Sequence, residues 1–90
     1  PTAFLADEQE LECTDFAREW LAQEKKYPLL FALDSIFSWQ EALTLLGGLE
    51  GPCLVKDIVD RYSGEKWKCR YIISWLLKHG FLELTGDNYA

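Results

Sequence analysis

The stretch LVKDIVDRYSGEKWKCRYIISWLLKHGFLEL, residues 54–84, decides the fold of this 90-residue chain. Leu54, Val55, Ile58, Val59 and Tyr62 recur at helical spacing while Lys56, Asp57, Asp60 and Arg61 fall outside the stripe. The stretch therefore begins with a short amphipathic helix. Ser63-Gly64 closes it, and a longer helix is predicted from about Glu65 to His79, with Gly80 as its C-terminal stop. Phe81-Leu82-Glu83-Leu84-Thr85 then alternates as a strand does. Gly86-Asp87-Asn88 has turn chemistry, and Tyr89-Ala90 begins a return strand.

Working outward, Gly51-Pro52 marks a turn, and before it Asp34 or Ser35 opens a further helical segment. Ser38 and Glu41 have the spacing of a capping box. Ile36, Trp39, Leu43 and Leu46 form the inner stripe, widened by Phe37 and Leu45, and Gly47-Gly48 is expected to end it in a left-handed cap. Leu29-Leu30-Phe31-Ala32-Leu33 reads equally as a buried strand or a turn of helix. At the N-terminus a helix is predicted to begin near Asp7, with Glu10 completing a capping box. Cys13, Phe16, Ala17, Trp20 and Leu21 make its apolar stripe, Lys25 and Lys26 suit its last turn, and Pro28 stops it.

The passage from Leu54 to Leu84, with Trp39–Leu49 as the helix before it, resembles the winged helix-turn-helix superfamily. The short helix, the Ser63-Gly64 turn, the longer helix and the exit Leu76-Leu77-Lys78-His79-Gly80-Phe81 into an apolar strand carry the likeness. It covers about half the chain and implies a mainly α domain with a small β wing. On this reading residues 34–90 are the winged-helix core and residues 1–33 an acidic helical extension. The wing departs from a DNA-binding pattern, because its tip is Thr85-Gly86-Asp87-Asn88 without Arg or Lys. Its return strand is two residues long, so the wing is truncated, degenerate or completed elsewhere. Winged helices serve in transcription regulators and in protein-only interaction modules, so the likeness implies topology more than function.

The net charge of −6 is uneven. Residues 1–50 hold ten acids against Arg18, Lys25 and Lys26, whereas residues 51–90 hold five acids against six bases. The first half would repel nucleic acid; the second carries no such bar. Cys13, Cys53 and Cys69 are odd in number and widely spaced, and His79 is the only imidazole. Buried thiols in a reducing intracellular compartment, cytoplasmic or nuclear, are expected, with no metal and no cofactor. There is no apolar run of about 18 residues for a membrane span and no basic, apolar leader at Pro1-Thr2-Ala3-Phe4. The absence of Met fits either removal of an initiator Met ahead of Pro1 or a piece of a longer chain.

On the longer helix Cys69, Ile72, Ile73, Leu76 and Gly80 fall on one arc, which faces the core. Lys66, Arg70, Ser74 and Lys78 form a basic stripe beside an aromatic stripe of Trp67, Tyr71 and Trp75. Three readings of these seven residues stay open. The N-terminal helix can fold over the aromatics, its acids pairing with Lys66, Arg70 and Lys78 and its Phe16, Trp20 and Leu21 packing on the rings. The face can instead be a protein or peptide interface, for which Trp, Tyr and Arg are favoured anchors. Or it can be the recognition helix of a DNA-binding regulator, in which case a dimer is expected. No catalytic constellation is visible. His79 suits a helix end, and Gly47-Gly48-Leu49-Glu50-Gly51 lacks the Lys-Ser/Thr of a phosphate loop. A non-enzymatic scaffold, recruitment or regulatory domain is the expected function, with DNA-binding regulation as the alternative.

Overall fold

The computed structural model describes residues 5–23 and 36–85. They form β1 (Glu10–Cys13), α1 (Asp15–Ala22), α2 (Trp39–Gly47), β2 (Cys53–Leu54), α3 (Val55–Arg61), α4 (Lys66–Lys78) and β3 (Leu82–Thr85). Four helices thus accompany one small antiparallel sheet in the order β2-β1-β3. The predictions for Leu29–Leu33, Lys25, Lys26, Pro28, Asp34, Ser35 and the return strand at Tyr89-Ala90 fall outside the described residues. None of the described helices is long and apolar enough to cross a membrane.

The largest departure from expectation lies at the N-terminus. No helix begins near Asp7; residues 10–13 are the central strand, pairing Leu11 with Cys53 on one side and with Leu84 on the other. Glu10-Leu11-Glu12-Cys13 has a period of two, with Leu11 and Cys13 buried and the two glutamates half-buried, and that alternation suits a strand with one face on the core. The helix begins later, where the Thr14 hydroxyl accepts from the Ala17 N–H at 3.1 Å and donates to the Gly80 carbonyl at 2.6 Å. One side chain therefore caps α1 and fastens it to the α4–β3 turn. The sheet joins residues of the 1–33 segment to those of the 34–90 segment.

The C-terminal elements follow their patterns closely. In α3 Val55, Ile58 and Val59 are buried, and in α4 Cys69, Ile72, Ile73 and Leu76 are buried. Gly80 has φ +84°, the left-handed stop expected after α4. A Cβ there would meet no atom within 4 Å, so Gly80→Ala tests backbone strain alone. It is expected to cost about 1–2 kcal/mol, read as a lower denaturant midpoint at unchanged m-value.

In α2 the Ser38–Glu41 capping box is present in both directions. The Ser38 N–H and then Lys68, at 3.0 Å, hold the Glu41 carboxyl below the usual range, and Lys68 is raised in turn by Glu41. The buried residues are Trp39, Ala42, Leu45 and Leu46, while Leu43 is half-buried and Ile36 is 40% exposed. Gly48 does not adopt the left-handed conformation expected of it; its φ of −85° is right-handed, so the helix ends without needing glycine's freedom.

Phe81 stands where the elements meet. Fully buried, its ring lies 5.1 Å from Phe16, 5.6 Å from Trp39 and 6.2 Å from both Trp20 and Trp75. Phe37 adds an edge contact to Trp75 at 5.5 Å. Of the thiols, Cys13 and Cys69 are buried, and burial raises both, Cys69 to about 11. Cys53 is half-buried, with Arg61 Nη2 donating to its Sγ at 3.6 Å. A thiol reagent at mildly alkaline pH is expected to modify Cys53 rapidly, and Cys13 and Cys69 only on unfolding; mass mapping of the labelled chain checks this.

Candidate interaction surface on helix α4

Because the buried arc of α4 takes up Cys69, Ile72, Ile73 and Leu76, the residues between its turns are pushed to the opposite side. Trp67 is 56% exposed and Tyr71, one turn on, 38% exposed. Ser74 is half-buried and Lys78 is exposed. The predicted aromatic stripe therefore divides. Trp75 leaves it, being half-buried among Phe37, Trp39 and Phe81 and standing 4.0 Å from the His79 ring. Tyr71 stays exposed, although its ring lies 6.0 Å from Phe37. Trp67 projects furthest, its Nε1 donating to the Glu65 carboxylate.

The basic stripe divides as well. Arg70 donates through Nη1 to the Leu5 carbonyl at 3.1 Å and through Nη2 to the Asp7 carboxylate. Lys66 faces Asp60 at 3.5 Å. Lys68, on another side of the helix, is taken by Glu41. Lys78 forms no ion pair among the described residues. Of the three bases that the nucleic-acid reading would set against phosphates or base edges, Lys66 and Arg70 thus already have carboxylate partners and Lys78 does not.

Helix α1 does not take up the place one reading assigned to it. Trp20 meets Trp39 at 5.4 Å and Phe81 at 6.2 Å, and Phe16 meets Phe81, so α1 packs on the aromatic centre instead. The acid that does reach the basic stripe is Asp7, from the segment leading into β1. That segment is held from beneath, since the Val55 N–H donates to the Gln9 carbonyl at 2.8 Å and the Lys56 N–H to the Asp7 carbonyl at 3.1 Å. The reading in which N-terminal acids pair with the basic stripe thus holds at Arg70, where Asp7 is the partner, but the acid comes from the segment leading into β1 and not from a helix; the two-residue alternation of 10–13 is the signal for that strand.

A concavity, unforeseen in the sequence, lies between α2 and α3. It is a groove of about 560 Å³ lined by Glu41, Thr44, Leu45, Ile58, Arg61 and Tyr62 among others. Burial first and the Glu41 charge second raise the Tyr62 phenol. Among the described residues no three His, Cys, Asp or Glu side chains converge as a metal site would require. The chain matches no family model, no curated protein and no solved structure.

Proposed function

We propose that this chain is a non-enzymatic protein-interaction domain of winged-helix type, in which the outer face of α4 receives a protein or peptide partner. The observation that carries this reading is the exposure of Trp67 and Tyr71 one helical turn apart. Burying such rings contributes on the order of 25 cal/mol per Å², and an exposed Trp–Tyr pair is the composition of an interface anchor. Support for the winged-helix topology comes from the order α2, α3, α4, β3, with β1 lying antiparallel beside β3 where a return strand would lie. The wing is then completed by the N-terminal strand. Scaffold, recruitment or regulatory work inside a reducing compartment, cytoplasmic or nuclear, fits three free thiols.

The second reading, a DNA-binding regulator with α4 as recognition helix, draws on Lys66, Arg70, Ser74 and Lys78 sharing one side of α4. Against it, Arg70 and Lys66 are matched by Asp7 and Asp60, which reduces the positive field that phosphates need. Anisotropy titration with labelled duplex and single-stranded DNA at low and physiological salt separates the two. The protein reading expects no binding that depends on Arg70 and Lys78. It also expects a protein partner retained by the wild type and lost with Trp67→Ala. Salt-sensitive DNA binding abolished by Arg70→Ala and Lys78→Ala would transfer the face to nucleic acid. Trp67 is the informative position because Trp75→Ala would open the aromatic centre.

A further inference from the structure

Arg70 lies one turn after Trp67 and beside Tyr71, at the margin of the exposed aromatic face. Its guanidinium is fixed at one end by the Leu5 carbonyl, 3.1 Å from Nη1, and presents Nη2 to the Asp7 carboxylate. The backbone carrying Asp7 is secured separately, through the Lys56 N–H. The Asp7 side chain is 49% exposed and that of Arg70 37%. A pair so open to water is weakly held, so another carboxylate can take the place of Asp7 at little cost. The Leu5 bond leaves the guanidinium oriented when it does, and planar two-point donation is what a carboxylate matches best. Lys78 adds a second positive charge further along the same face.

We infer that the α4 face takes an acidic peptide segment bearing an aromatic or aliphatic residue, whose carboxylate displaces Asp7 from Arg70 while its apolar side chain covers Trp67 and Tyr71. Asp7 then acts as a built-in competitor that weakens any ligand whose carboxylate must displace it, so that a carboxylate without the apolar side chain binds poorly. This rests on the proposed role of the face and adds the chemistry of its partner. The reason for this choice of occupant is that Arg70 already holds a carboxylate, that of Asp7, in a solvent-open and replaceable contact, and that Lys78, with no ion pair among the described residues, lies further along the same face.

Selection of random short peptides on the full chain, without bias in composition, tests it. The peptides retained by wild type and lost on Trp67→Ala should be rich in Asp or Glu next to an aromatic or aliphatic residue. Their affinity should fall about tenfold with Arg70→Gln. With Asp7→Asn it should rise about three- to fivefold, because the competitor's charge is gone while the backbone bond stays. A role of Asp7 confined to stability would leave affinity unchanged or lower it, and circular dichroism confirms that both variants are folded. Trp67-dependent peptides that are neutral or basic, or indifferent to Arg70 and Asp7, would overturn this inference and leave the protein-docking reading standing. The absence of any Trp67-dependent peptide would overturn both. Labelled DNA that binds Arg70-dependently and more tightly with Asp7→Asn would assign the same clasp to phosphate and equally reject a peptide carboxylate.

Discussion

Phe81→Ala is expected to lower stability by about 3–5 kcal/mol, the range for deleting a fully enclosed aromatic ring. The position combines three roles. Phe81 follows the left-handed Gly80 and leads into β3. Its N–H donates to the Leu76 carbonyl at 2.9 Å and its own carbonyl accepts from the Thr14 N–H at 3.1 Å, so its backbone closes α4 and joins it to α1. Its ring is the shared neighbour of Phe16, Trp20, Trp39 and Trp75. Those four rings sit on three helices, α1, α2 and α4, which cannot all move inward together, so the cavity persists. Urea unfolding followed by tryptophan emission and by circular dichroism measures the loss; a change under about 1 kcal/mol would mean that the aromatic centre is not packed as described.

Leu11→Asp is expected to abolish folding or to cost at least about 4 kcal/mol. Leu11 has no exposed surface and sits in the central strand, so an introduced carboxylate can reach neither water nor a counter-ion without opening the sheet. The substitution also discriminates between the two readings of the N-terminus. In a helix over residues 7–22 with its stripe at Cys13, Phe16, Ala17, Trp20 and Leu21, position 11 would face solvent and accept Asp readily. Loss of amide dispersion in a nitrogen–proton correlation spectrum is the expected outcome; a folded, near-wild-type Leu11→Asp chain would refute the central strand. For the same reason a truncation lacking residues 1–26 removes β1 and cannot serve to free the α4 face.

The C-terminal half was legible because its local signals agree. The apolar stripes of α3 and α4, the Gly80 stop and the alternation of β3 all point to the structure observed, and Ser38 with Glu41 announced the start of α2. The N-terminus was not, because two patterns overlap there. Asp7 with Glu10 imitates a capping box, and Cys13 continues the stripe of α1 backward by one turn, although Cys13 belongs to a strand whose partners lie far along the chain. The alternation of 10–13 marks a strand only weakly over four residues, and which distant segments it pairs with leaves no mark in its neighbours. At the candidate site the helix face was legible and its division was not. Helical angle places Trp67, Tyr71 and Trp75 together, but only the positions of Phe37, Trp39 and Phe81 explain why Trp75 turns inward while Trp67 stays out. Likewise the charges of Lys66 and Arg70 were evident, whereas their pairing with Asp60 and Asp7 depends on the turn before α4 and on the segment before β1.

Whether the outer face of α4 meets a protein is tested most directly by photo-cross-linking. A benzophenone amino acid in place of Trp67 keeps an aromatic group at the centre of the face, and the same group in place of Gln40, exposed on α2, serves as the comparison. In the cell that makes the protein, the expected result is a discrete cross-linked protein species from position 67. It should weaken strongly when Tyr71→Ala is added and be absent from position 40. Equal labelling from both positions, or none from position 67 in a folded chain, would contradict a docking role for this helix.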